Sequence, residues 1–486
     1  MVNAQPTSRW AAVTVASILM TLALAIAAPA QTFKTVLSFE LATDGAAPAG
    51  TLLQGTDGKL YGTTAGSEGS GTYNSGTVFK ITSSGQLSTL HIFCSQTNCT
   101  DGTDPVAGVV QAADGNFYGT TNSGGTRDDG TIFKITATGT LTTLHNLSQQ
   151  AGYISSATLV QASNGSFYGT TYYGGANDKG TVFSISPSGA FKTLYTFGTQ
   201  SQDGGYPQAS LVRANDGSFY GTASGYLGPG TVFKITPNGA LTTLYRFCSQ
   251  PGCVDGSVPG PLILANDGNF YGTTKFGGNI SDEGTVFKIT PAGTLTTLYS
   301  FCSQPFCTDG ASATEGVIQA TDGNLYGTAS FGGVNGQGTL FRITLAGKLT
   351  TLYNFCSQSG CTDGAVPFGL IQATDGNLYG TTFNGGLDDS CSLGLGCGTI
   401  FSVSLGLDPF VETGPTYGKV GTAIKVLGTD LAGATSVTFN GTAATFTVPS
   451  GTFIKTTVPA GATTGPVQVV TPNGTLTSNE NFRVLP

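Results

Sequence analysis

Asp322-Gly-Asn-Leu-Tyr-Gly-Thr328, followed by Gly338-Thr-Leu-Phe-Arg-Ile-Thr344, recurs with small changes along most of the chain. The Tyr-Gly-Thr core falls at Tyr61, Tyr118, Tyr168, Tyr220, Tyr271, Tyr326 and Tyr379, at spacings of 57, 50, 52, 51, 55 and 53 residues. Near-equal periods of this length mark a tandem repeat, in which each unit buries its apolar face only by stacking on its neighbours.

Working outward from Tyr326, the sixth period holds four extended segments: a, Gly316 to Ala320; b, Asn324 to Thr328; c, Thr339 to Thr344; and d, Leu349 to Phe355. Segment d alternates, with Leu349, Thr351, Tyr353 and Phe355 on one face, as a strand packed on both sides does. Asp322-Gly323 between a and b supplies tight-turn chemistry, as do Asp57-Gly58, Asp114-Gly115, Asn164-Gly165, Asp216-Gly217, Asp267-Gly268 and Asp375-Gly376. Each period is therefore a four-stranded antiparallel meander without a helical pattern, which is the signature of a propeller blade. The chain ends are complementary: an orphan d-like segment, Phe33 to Phe39, precedes the first a strand, and the seventh period stops after its c strand, Gly398 to Ser404. The expected fold is all-β, a seven-bladed β-propeller whose N-terminal strand closes the last blade and removes the free sheet edges. An open solenoid would have no use for such fragments.

The period ends at Leu405. Short strands between Gly and Pro turns follow, at Ile424 to Gly428, Val437 to Gly441, Ala444 to Val448, Val458 to Gly461, Gly465 to Val470 and Phe482 to Val484. They read as a small Ig-like β-sandwich. The expected domains are a leader at 1–30, the propeller at 31–405 and the sandwich at 406–486.

Composition agrees with a folded, exported chain. Charged residues make up 9% of the 486, but 39% are hydrophobic and 10% aromatic, enough to form a sizeable core. Arg9 precedes an uncharged run from Trp10 to Ala27, and Ala28-Pro29-Ala30 offers small residues for signal-peptide cleavage after Ala30. A membrane anchor is the competing reading, but no second apolar run follows, so no transmembrane span is expected in the mature chain. Without Arg9, the chain has 18 Lys and Arg against 27 Asp and Glu, a net charge of −9 with no basic cluster, which argues against nucleic acid as a partner. The cysteines form five close pairs: Cys94 and Cys99, Cys248 and Cys253, Cys302 and Cys307, Cys356 and Cys361, and Cys391 and Cys397. Each pair lies within one loop, so local disulfides in an oxidising compartment are expected; zinc binding would call for paired sets or added histidines. The expected location is secreted or cell surface.

These residues carry two resemblances. Asp-Gly-Asn-Leu-Tyr-Gly-Thr, Gly-Gly, Gly-Thr-Val-Phe-Lys-Ile-Thr and Leu-Thr-Thr-Leu-Tyr, over residues 33 to 405, resemble the Gloeo_Verruco (GloVer) tandem repeat. This implies an exported bacterial β-propeller; members often end in a surface anchor, and none is expected after Val484. Gly421, Ile424, Gly428, Val437 to Gly441, Val458 to Gly461 and Gly465-Pro-Val resemble an IPT/TIG domain, which implies an Ig-like spacer or adhesion module without catalysis.

Candidate chemistry is sparse. The two histidines, His91 and His145, take the d-strand place that Tyr195, Tyr245, Tyr299 and Tyr353 fill in other periods, so they are expected to replace a packing tyrosine. A propeller followed by an Ig-like domain is also similar to copper oxidases of the galactose oxidase type, which need two histidines and a tyrosine converging on one metal. Histidines in two d strands do not suit that arrangement. In a meander blade the d-to-a and b-to-c loops share one face, and here that face carries the variation. It holds the cysteine loops, the d-to-a residues Asp44, Asp101, Asp203, Asp255, Asp309 and Asp363, and the b-to-c residues Asp128, Asp178, Asp282 and Asp388. The recurring d-to-a aspartates read either as loop-pinning carboxylates or as a cation or substrate site. Tyr173, Phe276, Phe331 and Phe383 lie beside the Gly-Gly of the b-to-c loops and could stack on sugars or anchor a protein. Gln54, Gln111, Gln161, Gln319 and Gln372 recur in strand a, either as a polar ring or as partners for inner-strand backbone.

The expectation is an exported non-enzymatic binding or adhesion protein for a glycan or an extracellular protein. Its ligand-binding candidates are Tyr173, Phe276, Phe331, Phe383, Asp101, Asp255, Asp309 and Asp363, with no catalytic residue, metal ligand or cofactor assigned. The alternatives are an extracellular polysaccharide hydrolase or lyase using loop-face carboxylates, and a purely structural envelope protein.

Overall fold

The computed structural model describes residues 31–66, 75–214, 216–225, 228–279, 281–391 and 394–485. The leader and its cleavage after Ala30 lie outside them. Among the described residues, seven four-stranded antiparallel sheets follow one another, six of them each built from one a-b-c-d meander. In the sixth, Val317–Gln319, Leu325–Ala329, Thr339–Ile343 and Leu349–Asn354 pair in chain order. The seventh sheet takes its outer strand from the start of the chain: Thr32–Ser38 pairs with Thr399–Ser404, beside Leu378–Asn384 and Ala365–Gln372.

The repeated motif explains itself in this setting. Gly323 takes the left-handed φ of 78° that its turn requires. Asp322 Oδ1 accepts from Asn324 N at 3.0 Å, and Tyr326 Oη donates to Asp322 Oδ2 at 2.8 Å, so the tyrosine locks the turn that precedes it, as Tyr61, Tyr118, Tyr271 and Tyr379 lock theirs. Gly327 leaves room for a ring, since a Cβ there would stand 2.6 Å from Phe341 Cζ.

Apolar side chains from neighbouring sheets merge into shared clusters. Tyr61, Val78 and Phe93 of the first sheet pack with Val109, Phe117 and Phe133 of the second, and the same join recurs through the series. A further cluster joins Ala373, Tyr379 and Ile400 of the seventh sheet to Leu52, Leu60 and Phe79 of the first. The strand a glutamines are neither a free polar ring nor partners within their own strand pairs alone. Their Oε1 atoms accept from backbone of the adjacent sheet: Thr56 N to Gln111, Ala113 N to Gln161, Asn266 N to Gln319, Thr321 N to Gln372 and Thr374 N to Gln54, at 2.8–3.2 Å.

The alternation expected of strand d is interrupted. Register shifts between Leu340 and Phe341 leave Leu352 as an extra residue, a β-bulge that recurs in the other sheets. Its carbonyl side faces the next sheet, as where Leu298 O meets the turn glycine Gly347.

The C-terminal residues form two further four-stranded sheets. One is Val411–Gly414, Ala423–Gly428, Phe453–Thr457 and Phe446–Ser450; the other is Thr442–Ala443, Ser436–Phe439, Val467–Thr471 and Gly474–Thr477. Val411, Val426, Val437, Phe439, Ile454, Val469 and Phe482 fill the space between them. Val458 to Gly461, expected as a strand, is instead a turn after Phe453–Thr457, because Pro459 offers no ladder N–H and Gly461 takes a φ of 82°.

Candidate functional site

The d-to-a and b-to-c loops lie against each other on one face of the seven sheets. Gly125 N donates to Cys99 O, Gly278 N to Cys253 O, Gly333 N to Cys307 O and Gly386 N to Cys361 O, all at 2.9–3.0 Å. All five expected disulfides are present, and among the described residues no cysteine is free.

Two residues after the closing cysteine of each d-to-a disulfide, Cys94–Cys99, Cys248–Cys253, Cys302–Cys307 and Cys356–Cys361, sits an aspartate. Asp363 accepts from Tyr353 Oη at 2.7 Å, from Ser357 N and Oγ at 2.8 Å and from Gln358 N at 3.2 Å. Asp255 makes the same set, Asp101 makes it with His91 in the tyrosine's place, and Asp309 makes it without the serine hydroxyl, since Ser303 Oγ donates to Ser300 O instead; all four are 0% exposed. Their oxygens accept from loop backbone and the d-strand side chain, which places Asp101, Asp255, Asp309 and Asp363, expected as ligand-binding candidates, in the interior of their loops. Burial pushes the Asp255 carboxyl up, but hydrogen bonds from Tyr245 and Ser249 outweigh it and hold the group below the usual carboxylate range. Tyr353 is pushed up to about 12, by burial first and by Asp363 as well.

His91 plays the tyrosine's part, its Nε2 3.0 Å from Asp101 Oδ2. His145 stacks on Phe191 at 4.2 Å, and the loop that follows it, Ser148 to Gly152, contains neither cysteine nor aspartate. Loss of the pin accompanies loss of the tyrosine. Among the described residues, no three His, Cys, Asp or Glu side chains assemble as a metal-binding group. The b-to-c aspartates are also committed to their loops: Asp128, Asp178 and Asp282 accept from Gly124 N, Gly174 N and Gly277 N at 2.6–2.9 Å.

The four aromatic candidates separate into two kinds. Phe276 and Phe331 are exposed, at 39% and 50%. Tyr173 is half-buried against Tyr153 and Tyr172, and Phe383 lies 5.9 Å from Phe368. The sequence reading missed the most exposed one. Phe306 is 95% exposed and sits at φ 60°, ψ 23°. The available signal was comparison of the loops: the same place holds Asn98, Gly252 and Gly360, residues that tolerate a left-handed backbone.

The opposite face, with the a-to-b turns, is covered by the C-terminal sheets. Thr452 Oγ1 donates to Thr56 O, Lys425 Nζ to Ala112 O and Asn266 Nδ2 to Asn479 O, while the Arg213 guanidinium lies 3.8 Å above the Tyr417 ring. A cavity of about 550 Å³ opens between strands a and these sheets, lined by Gln54, Arg213, Gln319, Glu412, Glu480 and Arg483 among others. Burial, and then the Glu480 charge, raise Glu412 to about 7. Both glutamates line the cavity and are exposed to it, so solvent there works against that shift.

The Gloeobacter/Verrucomicrobia repeat matches residues 66–260 and 228–445, well over half of the chain. The chain belongs to that repeat family. Within this Gloeobacter/Verrucomicrobia repeat protein, residues 408–484 match the IPT/TIG domain. No curated protein matches the chain in sequence. In fold it is similar to a fungal alcohol oxidase of the AA5 family solved with copper, 13% identical with a TM-score of 0.54, covering 94% of this chain and 99% of that one. It is also similar to the extracellular domain of a protein described as a one-component system in B. thetaiotaomicron, 12% identical with a TM-score of 0.51 over 94% of this chain. The repeat protein spans 58% of that second chain. At such identities the likeness is one of fold alone. Among the described residues no helix is long and apolar enough to cross a membrane.

Proposed function

We propose that this is an exported, non-enzymatic binding or adhesion protein: residues 31–405 form a closed seven-bladed β-propeller, and its cysteine-clamped loop face takes a glycan or protein ligand. Closure is supported by the N-terminal strand in the last sheet, by the cluster joining the seventh sheet to the first, and by the Thr374 N to Gln54 hydrogen bond at 2.8 Å. The 406–486 sandwich is the spacer that seats the turn face and leaves the loop face outward.

One observation carries the choice of face. Among the described residues of the repeats, the exposed large apolar side chains are Val254, Phe276, Phe306, Phe331, Val334, Leu387 and Leu395; all stand on d-to-a or b-to-c loops except Phe276, which ends the strand that opens into a b-to-c loop. Apolar groups confined to one face of a rigid scaffold are the usual mark of an interaction surface. The test is an array of glycans and secreted proteins probed with residues 31–486. The parent is expected to bind, and Phe276→Ala with Phe331→Ala to bind more weakly. Equal binding by both proteins would remove the loop face as the site.

A further inference from the structure

Phe306 is held in a place that the rest of the fold does not explain. It takes a left-handed backbone, which L-residues with a Cβ disfavour, in a loop whose three counterparts use Asn98, Gly252 and Gly360. At 95% exposure its ring gains almost no packing in return. The loop is clamped by Cys302–Cys307 and pinned by Asp309, which accepts from Tyr299 Oη and Ser303 N, so the ring stands on a rigid base. The Gly333 N to Cys307 O bond joins this loop to the b-to-c loop of the sixth repeat at the residues next to Phe306 and to Val334, which is 71% exposed. Phe331, on that same loop, bridges to Ala311. Backbone strain retained without local compensation points to use outside the folded chain.

We propose that Phe306, with Phe331 and Val334, forms a stacking platform for an uncharged polysaccharide; this rests on the reading that the loop face is the binding surface. The chemistry of the surroundings selects the ligand class. Residues 302–308, 330–337 and 356–362, three adjoining loop segments, contain no charged side chain outside the buried pins and are rich in Ser, Thr, Asn and Gln. Aromatic faces bordered by amides and hydroxyls suit pyranose rings, which are apolar on their faces and hydroxylated at their edges. An anionic polymer or membrane would meet no cation in these segments, and the platform lacks the continuous apolar core of a protein interface.

The experiment compares residues 31–486 with the Phe306→Gly variant, which copies the residue at Gly252 and Gly360 and so retains the loop. Both are run by affinity electrophoresis through xylan, galactomannan, mixed-linkage β-glucan and polygalacturonate, with sedimentation of each protein alone. The expected result is retardation of the parent by at least one neutral polymer, at least tenfold weaker in Phe306→Gly, with no loss of thermal stability. Equal retardation of the two proteins overturns the role of Phe306; the loop-face reading also falls only if Phe276→Ala with Phe331→Ala is equally unaffected. Retardation by polygalacturonate alone, or by no polymer, overturns the neutral-glycan assignment. Self-association abolished by Phe306→Gly overturns it in favour of a second copy of the chain.

Discussion

Phe306 and Gly360 occupy one place in two loops that otherwise share Cys-Ser-Gln and the closing cysteine. A left-handed backbone costs a Cβ-bearing residue about 1–2 kcal/mol, and glycine returns about 0.5–1 kcal/mol of that through chain entropy. Phe306→Gly is therefore expected to raise stability by about 0.5–1 kcal/mol, read as a higher denaturant midpoint at unchanged m-value. A stabilising substitution that weakens binding is the pattern of a functional residue. The aspartate pins behave oppositely. Asp363→Asn would place amide hydrogens against Ser357 N and orphan buried donors, an expected loss of about 1–3 kcal/mol in the same measurement. Because Asp101 and Asp255 titrate below their ordinary value when folded, their contribution is present above about pH 4. It is lost as pH falls through the lowered folded value. Thermal stability should therefore drop below about pH 4, and Asp255→Asn should flatten that drop.

At the scale of the element, what repeats was legible and what depends on the neighbouring repeat was not. The four strands, the Asp-Gly turns and the five disulfides follow from local chemistry, and local chemistry is visible in one period. Leu352 was assigned to a strict alternation because its bulge exists to meet the next sheet, and no pattern within strand d announces it. Gln319 stood between a polar ring and a partner for inner-strand backbone because its acceptor serves Asn266 N of the preceding sheet, 53 residues away. The loop aspartates carried two readings because burial is not written in a local motif, and Phe306 was overlooked because backbone angles are absent from composition. The cysteine clamps are the element-level device most open to test. For a ring of about six residues the chain-entropy model gives about 2 kcal/mol, so Cys302→Ser with Cys307→Ser should lower the unfolding midpoint modestly without abolishing folding. Limited proteolysis should then cut between residues 302 and 307 and nowhere new.

For the whole molecule, the asymmetry of the seven sheets shows where the C-terminal domain belongs. The glutamine series is broken at Arg213 and Leu264, and there the a strands face Tyr417, Glu480 and Arg483 instead of a simple copy of the neighbouring sheet. Glu412 and Glu480 are raised, by burial and, for Glu412, by Glu480, while Arg213 and Arg483 face the same cavity. A carboxylate whose folded value lies above its unfolded one contributes stability that is complete below the ordinary glutamate range, near pH 4.5, and disappears as pH rises through the folded value, near 7 for Glu412. The docked domain should therefore loosen between about pH 5 and 8, the reverse of the aspartate limb. Hydrogen exchange at Val411–Gly414 and at the Thr56 turn is the direct measure. Parent protection is expected to fall across that window, and Glu412→Gln, which keeps the shape without the charge, to hold it nearly level. Indistinguishable profiles would show that cavity water already solvates Glu412 and that the domain's hold on the turn face comes from its neutral contacts, Thr452 to Thr56 and Asn266 to Asn479.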